Sequence, residues 1–318
     1  MKKYNKILSW FMNYAIILIL LLLIVFFSIS SDNFFKLSTM FTILRQVAIT
    51  GIISIGMAFV ILTGGIDLSV GSIAGVSSVT AAMLMLIHIN PFLACSYTLL
   101  IALFYGIVNG VLISKINMPP LIATLGMMTS LRGVAFLITG GLPVFGFNPN
   151  FGNFALGTFL KIPLPVILLF IIFLLSLIFL NHTTIGRYIF SIGGNAESSR
   201  LSGINVDGIR ILTYSLSGLL SGIAGLVLLS RTNSGQPSSG TGYEMDAITA
   251  VVLGGVSLNG GEGKLSLVLV GVLIMGILTT GMLMDNINDY VQQVVKGLVL
   301  IFAVAFSMIS KKIKFSTN

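Results

Sequence analysis

GGIDLSVGS, residues 64–72, breaks an apolar sequence with three glycines, two serines and an aspartate. Lipid offers no partner to exposed amides, so backbone of this kind is tolerated at membrane depth only inside protein or against water. The rest of the chain shows that membrane depth is the relevant setting. Its 318 residues are 56% hydrophobic and 8% charged, with mean hydropathy +1.06, whereas soluble domains are about a quarter charged. The composition reads as an integral membrane protein. No stretch outside the apolar runs exceeds about 30 residues, too little for a separate core, so residues 1–318 read as a single transmembrane domain.

Apolar windows of about 20 residues, enough for a helix to cross a bilayer, lie at 10–29, 46–65, 69–89, 92–114, 119–139, 162–181, 211–230, 243–258, 265–284 and 291–310. They predict an all-α protein of ten spans. The basic start MKKYNK suggests a signal peptide, but the apolar run after it is too long and no A-x-A site follows, so it reads as a retained first span. Cys95 is the only cysteine, and His88 and His182 are too far apart for a helical metal pair. No disulfide framework, metal site or cofactor is expected.

With the amino terminus in the cytoplasm, the inner side carries Lys2, Lys3, Lys6, Lys115, Arg187, Arg200, Arg210, Lys264, Lys311, Lys312 and Lys314. The outer side carries Lys36, Arg45, Lys161 and Arg231. This asymmetry follows the positive-inside rule and places both termini inside. It accounts for the net charge of +8 without a nucleic-acid partner. Two long connections remain: an outer one at 140–161, rich in glycine, phenylalanine and asparagine, and an inner polar one at 181–210.

Spans 2–5 and 7–10 read as two copies. Asp67, Gly75 and Ser78 recur at the same spacing as Asp246, Gly254 and Ser257, and GVLISKIN (110–117) is echoed by GMLMDNIN (281–288). Five spans separate the copies, an odd number, so the repeat is inverted, as in many transporters. The alternative is that recurring small residues serve ordinary helix packing. Both copies open their second helix on an interrupted stretch, GGIDLSVGS and GTGYEMDAIT, and interruptions in equivalent positions point to a transport path. Asp67 with Ser69, and Asp246 with Thr249, are expected to cap exposed amides; Asp67 reads equally as a cap at the membrane surface. Arg132 is an intramembrane charge, functional or paired by default, with Asp67, Asp246 or the interface as its expected partner. Lys296 is expected to reach the interface or Asp289. Asp67, Ser69, Arg132, Glu244 and Asp246 form the candidate pathway or gate.

Enzyme chemistry finds no support. The sequence has no H-E-x-x-H, and NGGEGKLS (259–266) has Leu265 where a phosphate loop needs Ser or Thr. Acidic groups are few for an ion-coupled transporter, the rival reading. The chain looks like a transport subunit powered by a partner.

Several ordered motifs carry a resemblance: LTGGIDLSVGSIAG (62–75), PPLIATLGMMTSLRGVAFLITGG (119–141), TTIGRYIFSIGGNAESSRLSGINV (183–206), YEMDAITAVVLGGVSLNGGEG (243–263) and VVKGLVLIFAV (294–304). In them the chain resembles the permease subunits of bacterial ATP-binding cassette importers for simple sugars, the ribose type foremost. The resemblance implies a multi-pass protein of the bacterial cytoplasmic membrane, paired with a second permease copy, cytoplasmic ATPase subunits and an extracytoplasmic sugar-binding protein. It assigns ATPase coupling to Gly194, Asn195, Ala196, Ser199, Arg200, Leu201 and Gly203. In the same stretch NAESSRLSG reads as a short helix capped by Asn195 and ended by Gly203. The outer 140–161 segment is the candidate docking surface for the binding protein. Autoinducer-2, xylose, galactose and nucleosides are the alternative substrates.

Overall fold

The computed structural model describes residues 2–147 and 149–316, with side chains described for 16–147 and 150–308. The side chains of Lys2, Lys3, Lys6, Lys311, Lys312 and Lys314, part of the inner basic set, lie outside those described. A helix occupies each of the ten windows. These are α1 (Lys2–Ser30), α2 (Leu37–Leu62), α3 (Val70–Leu86), α4 (Pro91–Ser114), α5 (Pro120–Thr139), α7 (Leu164–His182), α10 (Val206–Thr232), α11 (Tyr243–Leu253), α12 (Leu265–Met284) and α13 (Asp289–Ser316). Short helices fill the two long connections: α6 (Asn153–Leu156) in the one at 140–161, α8 (Thr184–Gly194) and α9 (Ala196–Leu201) in the one at 181–210. The 140–161 connection also holds the hairpin β1 (Thr158–Phe159) and β2 (Ile162–Pro163). Among the described residues, seven helices are long and apolar enough to cross a membrane, Ile16–Ser30 is an apolar part of α1, and Val70–Leu86 is a shorter apolar helix.

The expected span 243–258 differs. Its helix α11 stops at Leu253 after 11 residues, about 16 Å of helix against a hydrocarbon core of about 30 Å. Gly254 and Gly255 turn the chain there, Gly255 with φ +77°, and the chain runs as irregular backbone to Lys264. Hydropathy averaged over VLGGVSLNGG does not register this turn.

Two helices form the centre. The membrane window of α2 is 83% buried and that of α10 is 72% buried, against 11% for α13. α2 and α10 are counterparts in the predicted repeat, and they pack on each other, Gly56 lying against the Ser217 backbone. Around them the packing scheme recurs: α10 on α4 as α2 on α12, α3 on α4 and α5 as α11 on α12 and α13. Glycines permit the closest of these contacts. Gly106 and Gly110 of α4 meet Gly218 and the Ile211 backbone of α10, where a Cβ on Gly110 would lie 2.6 Å from the Ile211 Cα. Helices in lipid associate through such close backbone packing because burying apolar surface gains little there.

Candidate functional site

The GGIDLSVGS turn joins α2 to α3 and is buried. Asp67 is fully buried, and its carboxylate accepts from the Ser69 amide (3.0 Å), the Ser69 hydroxyl (2.6 Å) and the Ser217 hydroxyl (2.8 Å). Asn109 of α4 donates to the Ser69 hydroxyl at 2.8 Å. A carboxylate in such a place is tolerated only with strong donors around it. Here those donors are neutral and come from the turn itself and α10. Asp67 closes a turn on the Ser69 amide two residues on, whereas the Ser69 hydroxyl, expected to cap α3, caps no amide and donates back to Asp67. Ser217 is 11 residues into α10, about three helical turns from its start, so Asp67 is enclosed by the bundle. Tyr214, one turn earlier on α10, donates to the Ile66 carbonyl at 3.4 Å. It also lines a cavity of about 300 Å³ with Thr63, Gly64, Asn117 and Arg210.

Asp246 behaves differently from Asp67, although sequence spacing equates them. Asp67 precedes its helix by three residues, whereas Asp246 lies within α11. Its carboxylate caps nothing and instead pairs with Lys296 of α13 at 2.8 Å, side-chain exposure being 7% and 23%. Thr249 does not cap either: its hydroxyl donates back to the Met245 carbonyl at 2.7 Å. Lys296 therefore reaches Asp246, neither the interface nor Asp289.

Arg132 pairs with neither aspartate. From α5 it donates to two backbone carbonyls, Pro237 at 2.8 Å and Ser239 at 2.7 Å. Both lie in the irregular 233–242 segment that leads into α11. That segment also bridges the outer connection, Val144 and Gly235 exchanging backbone hydrogen bonds. Its backbone passes α3 so closely that Gly71 and Gly240 touch, leaving no room for a Cβ on either. Glu244, within electrostatic reach of Arg132, accepts the Gly242 amide through Oε1 at 3.2 Å. Its buried Oε2 has no hydrogen-bond partner among the described residues and faces Gly71 at the amino end of α3, where the helix dipole favours negative charge. The two interrupted stretches thus meet at Gly71, Gly240 and Glu244.

The sequence reading missed Asn109, Ser217 and Gln46. Gln46 accepts from Arg231 at 2.6 Å and donates to the Tyr243 hydroxyl at 3.4 Å, joining α2, α10 and α11. A polar side chain inside an apolar span was the available signal.

The 181–210 connection has the expected local geometry. Asn195 accepts the Ser198 amide at 2.9 Å, Glu197 stands in the first turn of α9, and Gly203 closes it with φ +83°. The Ser191 and Ser199 hydroxyls lie 2.9 Å apart and tie α9 to α8. Asp207 of α10 binds Arg200 and Lys115, each at 3.1 Å. Of the other coupling residues, Leu201 is 82% exposed, Ala196 begins α9, and Gly194 ends α8 with open space beside it. α9 thus presents a free apolar side chain at the edge of the bundle.

Residues 39–304 match the family described as branched-chain amino acid transport system, permease component. The chain belongs to this family. It is 44% identical to the ribose import permease protein RbsC of Escherichia coli strain K12 over 93% of this chain and 94% of that one. Identity to RbsC of Bacillus subtilis strain 168 is 44% over 87% of each chain. The L-arabinose transport system permease protein AraH of E. coli strain K12 is 37% identical over 95% of this chain and 92% of its own. No solved structure matches. The chain is a multi-pass membrane permease, and its place in the family is that of a transport subunit rather than the ATPase.

Proposed function

We propose that this permease is the membrane-spanning subunit of an ATP-binding cassette importer that moves ribose into the bacterial cytoplasm. The likeness to ribose import permeases over nearly the whole chain carries the reading, and the lower identity to the arabinose permease supports ribose over another pentose. A neutral sugar needs no counter-charge, which accords with a bundle whose inner polar groups are mostly hydroxyls and amides, with few charges.

The whole chain acts as one permease domain, paired with a second copy, cytoplasmic ATPase subunits and an extracytoplasmic sugar-binding protein. Both termini are cytoplasmic. α9 and its caps, Gly194, Asn195, Ala196, Ser199, Arg200, Leu201 and Gly203, dock on the ATPase. The outer 140–161 segment, with Leu142, Phe145 and Phe159 exposed, receives the binding protein. ATP closes the ATPase pair, the docked elements shift, and the inverted halves exchange inward and outward openings. Asp67, Ser69, Arg132, Glu244 and Asp246 control that exchange: the first two hold the turn before α3, Arg132 and Glu244 hold the 233–242 segment that touches α3 at Gly71, and Asp246 fixes α11 to α13. In proteoliposomes containing the ATPase and binding protein, ATP should drive ribose uptake. Uptake by the chain alone on a sodium or proton gradient would overturn the reading.

A further inference from the structure

Three glycine-bearing segments, distant in sequence, converge on one point: Gly64 after α2, Gly193–Gly194 at the end of α8, and Gly260–Gly261 between α11 and α12. The Gly261 amide donates to the Leu62 carbonyl at 3.0 Å. A Cβ on Gly260 would lie 2.7 Å from the Gly64 nitrogen and 2.8 Å from the Gly193 Cα, and one on Gly261 would lie 2.6 Å from the Gly194 nitrogen. A Cβ on Gly193 would run into the Leu62 carbonyl and the Gly261 nitrogen. Three backbones therefore touch with no side chain between them.

Side chains between moving elements absorb displacement by changing rotamer. Bare backbone has no rotamers to change, so close-packed contacts pass strain on. On one side of the joint stands α8, tied to α9 through the Ser191–Ser199 contact. On the other, Asp67 follows Gly65 by two residues.

We propose that this joint transmits displacement of α8–α9 into the 62–67 turn and the 254–264 segment together, with Gly193 and Gly260 as its positioning residues. The proposal rests on the importer reading, since it takes α8–α9 to be moved by an ATPase. Both halves are reached at once, because the turn belongs to one repeat and the 254–264 segment to the other.

The test uses the reconstituted complex with its ATPase and binding protein. Hydrogen exchange in the unaltered protein should show amide protection at 62–65 and 259–263 changing about tenfold on nucleotide binding, in step with α8–α9. Change at α8–α9 with none at the other two segments would overturn the joint while leaving the importer reading intact. Failure of the unaltered chain to bind the ATPase would sink both. In Gly193→Ala and Gly260→Ala, ATPase association should stay within about twofold while uptake falls about tenfold, and hydrolysis should lose its dependence on the sugar-loaded binding protein. Retention of uptake and of coupled hydrolysis in both variants would also overturn the proposal. Should either variant fail to accumulate in the membrane, the exchange experiment decides alone.

Discussion

Asp67 and Ser217 are 150 residues apart in the chain and are joined by a 2.8 Å hydrogen bond between the α2–α3 turn and the middle of α10. Each of these belongs to a different copy of the repeat, so the bond ties the two halves together at a buried carboxylate. Removing one donor from a buried charge costs about 1.5–3 kcal/mol. Ser217→Ala should therefore lower the melting temperature of the detergent-purified permease, and Asp67→Ala should lower it further. In a double-mutant cycle the two changes should be non-additive, with a coupling energy of about 1–3 kcal/mol. Additive effects would show that the bond contributes nothing.

If Asp67 also controls the exchange of openings, its loss should reduce sugar uptake beyond what reduced protein explains. Uptake per folded molecule, with folded protein counted by size-exclusion fluorescence, should fall about tenfold in Asp67→Asn. That substitution keeps an oxygen facing the Ser69 amide and removes the charge. Loss of uptake in strict proportion to folded protein would leave Asp67 a structural turn residue only.

Asp246 and Lys296 form an ion pair joining α11 to α13, with the carboxylate buried and the ammonium partly so. Removing one partner of such a pair leaves an unbalanced charge and costs about 3–5 kcal/mol, whereas replacing both by apolar residues of similar size is often neutral. Lys296→Met and Asp246→Leu should each destabilise the permease severely, and the double substitution should recover most of the loss. Thermal melts of the three variants check this; a double variant no better than the singles would contradict the pairing.

Much of the fold was legible because helix length follows from the length of an apolar run, and a cap such as Asn195 is a local signal. What was not legible is long-range or carried by backbone. Ser217 is one serine among several in α10, and nothing in its neighbours announces a carboxylate 150 residues away. For Lys296 the sequence offers the interface or nearby Asp289, because its partner Asp246 is 50 residues back and is brought close only by the packing of α13 on α11. For Arg132 the usual electrostatic rule offers Asp67, Asp246 or the interface, yet carbonyl oxygens satisfy a guanidinium as well and leave no trace in the sequence. The equal spacing of Asp67 and Asp246 hid different settings, one before its helix and one inside it.

The packing of α4 on α10 gives a sharp contrast between glycines. Gly218 lies against the Ala102 carbonyl and Gly106, with less than 3 Å available to a Cβ, while Gly126 on α5 has nothing within 4 Å. Gly218→Ala should shift backbone in both helices and cost about 1–3 kcal/mol. Gly126→Ala should leave the melting temperature unchanged or raise it slightly, since alanine favours helix. Equal destabilisation by the two would show that helix propensity, rather than close approach, sets their effect.

Arg132 holds the 233–242 segment by two carbonyls, and that segment has little regular structure of its own. Its position against α3 therefore depends on the guanidinium, which offers Pro237 and Ser239 donors from a fixed planar group. Arg132→Met removes the donors and leaves two carbonyls unsatisfied beside α3. The expected result is amide exchange over 233–242 faster by about tenfold with α4 and α10 unaffected, together with a fall in uptake. Arg132→Lys offers a compact ammonium on a shorter stem in place of the guanidinium nitrogen that serves both carbonyls, and should fall between the unaltered protein and Arg132→Met. If exchange in the segment is unchanged in Arg132→Met, the arginine does not position it, and any loss of uptake must come from its charge near Glu244.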